Sequence, residues 1–238
     1  MAWTLLLAAG QGNRLASATG GLAKQFLDWK GAPLYWESTL VFSRCARVEG
    51  LVFVFPEACI DEERERVAGL MRNASLGIPW KVVAGGALRQ DSVRNGLSAL
   101  PDDCMEVLIH DAARPFVSPV LVNRILDGLH GEASGECVAA CIPGIPVVDT
   151  IKVMDEEKKV VATPDRKHLM AVQTPQGFSL AFLRAAHQRA EQEGWVVTVR
   201  TRRACRGGRS GKQKNYHARG FGNVADDRRA HPVCRLRV

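Results

Sequence analysis

Ala2-Trp3-Thr4-Leu5-Leu6-Leu7-Ala8-Ala9-Gly10-Gln11-Gly12-Asn13-Arg14 opens the chain with an apolar run that ends in a glycine-rich turn and a cation. A continuous apolar run, as opposed to an alternating one, marks a strand buried on both faces, and such strands belong to parallel sheets sheathed by helices. The same rhythm recurs downstream. Strands are expected at Trp3–Ala8, Gly50–Phe55, Trp80–Val83, Val107–His110 and Cys137–Ile142. Amphipathic stretches at Pro33–Arg44, Ile60–Met71, Gln90–Leu100 and Pro119–Leu129 lie between them as helices. This alternation predicts an α/β fold, a Rossmann-like, mostly parallel sheet flanked by helices. After Pro146 the pattern changes: Val147–Val153, an acidic turn at Asp155–Glu157 and Lys159–Thr163 read as a β-hairpin arm, about residues 146–165, outside the main layers. A last helix is expected over Leu180–Glu193, stopped by Gly194.

Composition narrows the class. The chain has 238 residues, 46% hydrophobic and 24% charged, as in an ordinary globular protein with a substantial core. No apolar run approaches the roughly 20 residues that span a bilayer. The net charge of +7 invites a nucleic-acid or acidic-surface reading, but its distribution argues otherwise. Residues 199–238 hold 12 Lys or Arg against Asp226 and Asp227, a local charge of +10, so residues 1–198 carry −3. The seven cysteines include no Cys-x-x-Cys pair and no histidine at metal-ligand spacing. An odd count with no secretion signal points to a reducing, cytoplasmic setting.

Three segments carry chemistry. Ala8-Ala9-Gly10-Gln11-Gly12-Asn13-Arg14 sits just past the first strand, where open α/β sheets bind ligands and glycines let backbone amides approach phosphate oxygens. It is neither Gly-x-Gly-x-x-Gly nor a Walker loop; Arg14 and, further on, Lys24 supply cations beside it. Gly85-Gly86-Ala87-Leu88-Arg89-Gln90-Asp91-Ser92-Val93 joins a strand to a helix and suits either a nucleobase edge at Gly86 and Ser92 or a plain helix capped by Asp91 or Ser92. In His110-Asp111-Ala112-Ala113-Arg114-Pro115-Phe116, an acid just past a buried strand can take Mg²⁺ or a ribose hydroxyl, or can simply pair with Arg114. His110 reads as structural, since phosphoryl transfer depends on positioning and charge neutralisation.

Together with Lys24-Gln25-Phe26-Leu27, Asp149-Thr150-Ile151-Lys152 and Thr174-Pro175-Gln176-Gly177-Phe178, these segments occur in one order that closely resembles the 2-C-methyl-D-erythritol 4-phosphate cytidylyltransferase family, of nucleotide-sugar transferase-like fold. The resemblance covers residues 3–198. Ribitol 5-phosphate cytidylyltransferases share much of the pattern, and Ala113 leans towards the methylerythritol enzymes.

The resemblance implies transfer of CMP from CTP to the polyol phosphate with release of pyrophosphate. It implies that Arg14, Lys24 and Arg166 serve catalysis. CTP would be bound by Ala8, Ala9, Gly10, Gly12, Gly86, Ser92, Asp111 and Ala112, with Mg²⁺ at Asp111. The acceptor side falls to Arg114, Thr150, Arg166, Thr174 and Thr198. It further implies a homodimer through the β-arm, whose Thr150 and Arg166 reach the partner subunit's site. Ala23 departs from the family, which usually has proline before the lysine; without that φ restraint the loop is expected to be looser.

The resemblance stops at Thr198. The family continues with acidic residues and later with Asn-x-Lys-Ile-Thr-x-Pro-Glu-Asp-Leu, whereas this chain continues Val199-Arg200-Thr201-Arg202. When the degenerate codons from Lys212 to Gly222 are read one nucleotide later, Asn-Lys-Lys-Ile-Thr-Thr-Pro-Glu-Asp-Leu fits at every position. Residues 199–211 are not restored in the same way. We therefore read residues 1–198 as the cytidylyltransferase domain and 199–238 as a frame-shifted segment. Disorder is expected from about Arg200, because few apolar residues there follow a helix or strand period. The lysine of the lost motif falls across Lys214 and Asn215, so activity is expected to be reduced or absent. The contrasting reading is a genuine basic tail that binds nucleic acid or lipid; against nucleic acid, the aromatic interleaving is thin, only Tyr216 and Phe221.

Overall fold

The computed structural model describes residues 2–10, 22–130, 138–196 and 233–236. The strands are β1 (Ala2–Leu7), β2 (Asp28–Trp29), β3 (Ala32–Pro33), β4 (Val48–Phe55), β5 (Trp80–Ala84), β6 (Glu106–Asp111), β7 (Ala140–Pro146), β8 (Val153–Met154), β9 (Val160–Ala162), β10 (Met170–Val172), β11 (Gln176–Ser179) and β12 (Val233–Leu236). The helices are α1 (Tyr35–Ser43), α2 (Ile60–Asn73), α3 (Arg89–Ser98), α4 (Pro119–His130) and α5 (Leu180–Gln192).

Strand β1 lies at the heart of the sheet, parallel to β4 on one side and β6 on the other, and β5 extends the parallel half beyond β4. The other half is antiparallel. β11 pairs with β6 and β7, and β10 pairs further along β7. Between the Val172↔Gly144 and Gly177↔Cys141 pairs, five steps along one strand match three along the other. β10 and β11 are thus one strand bulged around the cis Thr174–Pro175 bond.

Successive residues of the buried strands serve opposite layers, which is why the runs are continuously apolar. Leu6, Phe53, Phe55 and Leu108 pack with Tyr35, Phe42, Val67, Ile125 and Leu126 of α1, α2 and α4. Leu5, Val52, Val54 and Ile109 pack with Val93, Leu97, Leu180 and Leu183 of α3 and α5. Helix ends follow local chemistry. Ser118 accepts the Leu121 amide at 3.2 Å ahead of Pro119, which needs no partner for its missing N–H. Asp61, Glu62 and Glu63 occupy the first turn of α2, where the helix dipole favours anions. Beyond α5, Gly194 takes φ +64, the left-handed conformation that ends a helix.

Three differences from the sequence reading stand out. Pro33 lies in the β2–β3 hairpin, and α1 begins only at Tyr35, because Leu34 N–H bonds back to Leu27 O at 2.9 Å. Residues 176–179, legible only as a motif, form a strand. Val233–Leu236, in the segment expected to lack structure, pair antiparallel with the edge of β7, whose ladder groups otherwise need a partner. The rest of that expectation, and Cys137 at the head of its strand, fall outside the described residues. Within the 146–165 stretch, the short strands β8 and β9 pair antiparallel.

Candidate active site

Four segments from distant parts of the chain converge at the carboxyl ends of β1, β5 and β6. The loop after β1 begins with Ala8, whose amide donates to Val54 O at 2.8 Å, and runs to the exposed Gly10. Gln25 holds it: its buried amide Nε2 donates to Ala8 O at 2.7 Å and Gly10 O at 2.8 Å. Gln25 is the middle residue of a 3₁₀ turn, Lys24–Phe26, so this clamp carries the exposed Lys24 to the edge of the loop. Phe26 anchors the turn against Tyr35 and Phe55, with ring centroids 6.3 and 6.0 Å away. Ala23, ahead of Lys24, has φ −69. That is close to the value a proline would impose.

The second loop touches the first. A Cβ on Gly85 would lie 2.3 Å from the Ala9 Cβ, and one on Gly86 would lie 2.3 Å from the Asp91 Cβ. Only glycine permits this packing. The Gly86 amide donates to Ser92 Oγ at 3.1 Å, and that hydroxyl donates onward to Leu88 O at 3.3 Å. The helix cap is Leu88, not Asp91 or Ser92. Asp91 sits three residues in and accepts the Leu88 amide on Oδ2 at 3.0 Å. Ser92 is buried, and its hydroxyl shapes the Gly86 turn.

Asp111 ends β6, and its side chain is one-third exposed. Arg89 donates to Oδ1 from Nε at 3.3 Å and from Nη2 at 2.9 Å, while Arg114 Nε approaches Oδ2 at 3.6 Å. The ion pair with Arg114 is therefore real, and Arg89 joins it from the neighbouring loop. The Ala112 amide donates to Leu7 O at 3.0 Å, tying this turn to β1.

His110 lies beneath, 1% exposed. Its Nε2 donates to Arg114 O at 2.9 Å, and its Nδ1 accepts the Thr174 hydroxyl at 3.0 Å. Thr174 Oγ1 in turn accepts the Asp111 amide at 3.4 Å. Burial lowers the imidazole pKa to about 4, so His110 is neutral at physiological pH and both its nitrogens are spent on the framework. That is the structural role expected of it. Arg114 also bonds Gln173 Oε1.

The structure thus brings together Lys24, Ala8, Ala9, Gly10, Gly86, Ser92, Asp111, Ala112, Arg114 and Thr174. Thr150 and Arg166 lie on the exposed 146–168 stretch, where Arg166 Nη1 donates to Val148 O at 2.8 Å. Gly12, Arg14 and Thr198 lie outside the described residues. Gln25 and Arg89 join the site as residues that sequence motifs alone do not assign, although both lie inside the Lys24–Leu27 and Gly85–Val93 motifs. No group of three or more His, Cys, Asp or Glu gathers as a metal cage among the described residues.

The family described as IspD, 2-C-methyl-D-erythritol 4-phosphate cytidylyltransferase, matches residues 2–210. The chain belongs to the IspD family. The bifunctional enzyme IspD/IspF of Oleidesulfovibrio alaskensis is 52% identical over 196 residues, which are 82% of this chain and 48% of that protein. This chain thus spans about half the length of its bifunctional IspD relatives. The 2-C-methyl-D-erythritol 4-phosphate cytidylyltransferase of Parasynechococcus marenigrum is 37% identical over 194 residues, 82% of this chain and 79% of that one. Among solved structures, the enzyme of that name from Thermus thermophilus superposes with a TM-score of 0.58 at 31% identity, over 83% of this chain and 80% of that one. The IspD fold is also that of the 4-diphosphocytidyl-2C-methyl-D-erythritol synthase from Anaerococcus prevotii, at a TM-score of 0.67 and 23% identity, over 83% and 80% of the two chains.

Proposed function

We propose that this chain transfers CMP from CTP to 2-C-methyl-D-erythritol 4-phosphate. An oxygen of the acceptor phosphate attacks the α-phosphorus of CTP; the new P–O bond forms as the bond to the bridging β-phosphate oxygen breaks, and pyrophosphate leaves. The single observation that carries the reading is the Gln25 clamp, which ties the turn of the exposed Lys24 to Ala8 and Gly10 in a chain of the IspD family. Lys24, together with Arg14, neutralises charge that builds on the phosphoryl oxygens, catalysis by electrostatic preorganisation. Gly86 faces the base, Asp111 and Ala112 the ribose, and Arg114 the acceptor. Mg²⁺ held at Asp111 would supply further charge neutralisation on the triphosphate.

We also propose a homodimer that uses the 146–165 arm. Val148, Met154, Val160 and Val161 there are 57–76% exposed, an apolar surface that a second copy would cover. Thr150 and Arg166 would then serve the partner's acceptor site. Among the described residues no helix is long and apolar enough to cross a membrane.

Pyrophosphate release by the intact chain, with CTP and a panel of methylerythritol and ribitol phosphates, tests the activity. Turnover confined to the methylerythritol phosphate is expected. Preference for ribitol phosphate would reassign the acceptor, and release with neither would refute the transfer for this polypeptide. The basic segment 199–238 is read as frame-shifted, and reduced turnover relative to a chain with the family's own ending is the expected consequence.

A further inference from the structure

Arg89 is the first residue of α3 and stands on the loop that holds Gly86, whereas Asp111 ends β6. Its Nε and Nη2 both converge on Asp111 Oδ1, at 3.3 and 2.9 Å, across 22 residues of sequence. Among the described residues, the other Asp111 oxygen is approached by Arg114 Nε, at 3.6 Å. The Arg114 guanidinium also bonds Gln173 through Nη1, whereas Arg89 places two donors on one oxygen. The carboxylate rotor is therefore set by Arg89. The Asp111 backbone is fixed independently, since its amide donates to Thr174 Oγ1 and its strand pairs with β1.

Stability does not account for this pair. The two side chains are 37% and 33% exposed, and ion pairs at such exposure contribute about 0–1 kcal/mol. Its consequence is directional. A carboxylate held by one oxygen presents the other to a ligand in a single orientation, and the clamp also locks the loop of Gly86 to the turn of Asp111 and Ala112. Those two turns face a nucleotide from the base side and the ribose side under the proposed function, on which this inference rests.

We propose that Arg89 is a positioning residue for nucleotide binding, acting by orienting the Asp111 carboxylate and holding the α3 loop against the end of β6. CTP affinity of the full chain, measured by calorimetry, tests it without requiring turnover. Arg89→Gln should weaken CTP about tenfold, roughly one charge-assisted hydrogen bond, with the melting temperature nearly unchanged. Arg89→Lys, which keeps the charge but loses the two-pronged donor, should recover only part of the loss. In an Asp111→Asn background, Arg89→Gln should add less than a twofold effect, because the residue acts through the missing carboxylate. Wild-type affinity in Arg89→Gln, or full additivity with Asp111→Asn, would overturn the proposal while leaving the functional reading standing. Failure of the unaltered chain to bind CTP would overturn both.

Discussion

Acidification tests the framework under the site through one buried group. His110 faces Asp111, Arg114 and Thr174 and packs its ring against Phe42 at 5.1 Å between centroids. Its pKa falls from 6.5 to about 4 because burial penalises the imidazolium. Protonation would also remove the acceptor at Nδ1 that Thr174 uses. The unfolded chain therefore takes up the proton first, near pH 6.5, and the folded chain only near pH 4. Stability from this group is complete above pH 6.5, is lost progressively as the pH falls towards 4, and stays lost below it. At 1.36 kcal/mol per unit, the loss reaches about 3 kcal/mol. Guanidinium denaturation followed by tryptophan fluorescence reads the loss, since Trp3 and Trp36 are buried. Carboxylates also titrate in this range, so the comparison is with His110→Gln, which can still donate to Arg114 O but cannot ionise. The wild-type profile should fall about 3 kcal/mol further than that of the variant between pH 7 and pH 4. Parallel profiles would refute the reasoning. So would an NMR titration of the folded protein that places the His110 midpoint near 6.5, a measurement that needs no variant.

Gln25→Leu removes both donors of the loop clamp and leaves the Ala8 carbonyl without its buried partner, so denaturation should show a loss of about 1–3 kcal/mol and assays a lower kcat/KM for CTP. Gly85→Ala places a methyl 2.3 Å from the Ala9 Cβ, which has no rotamer to yield; a loss of about 1–3 kcal/mol and weaker CTP binding are expected, and an unchanged melting temperature would contradict the packing. Ala23→Pro should raise stability by about 0.4–1 kcal/mol in denaturant titrations, because φ is already −69 and the unfolded chain alone is restricted. Resequencing the gene's 3′ region should reveal a coding frame that restores Asn-Lys-Lys-Ile-Thr-Thr-Pro-Glu-Asp-Leu; an in-frame coding sequence for the tail, confirmed in the intact protein's mass, would refute the frame-shift reading.

Much of the fold was legible because its causes are local. Leu5 and Leu6, or Val52 and Phe53, are apolar in succession only if both faces of a strand are buried, and that condition implies helices on both sides. The antiparallel half was less legible. Gln176–Ser179 is a short strand whose pairing depends on neighbours at β6 and β7, and Val233–Leu236 pairs because β7 offers an edge, not because its own pattern demands one. Neither condition is written in a short window of sequence.

The site divides along the same line. Glycines and cations at strand ends were readable because few other residues allow a backbone to approach phosphate or neutralise it, so the loops at Gly10, Gly86 and Asp111 stood out from sequence alone. How each side chain spends its hydrogen bonds was decided by tertiary structure. Ser92 shapes the Gly86 turn, Thr174 and His110 brace the Asp111 turn, Gln25 seats Lys24 and Arg89 orients Asp111. Except for Ser92, these pairings join residues that lie close only once β6, β1, β4 and β5 are assembled into one sheet. A sequence specifies which groups are available; the distances that select their partners exist only in the folded chain.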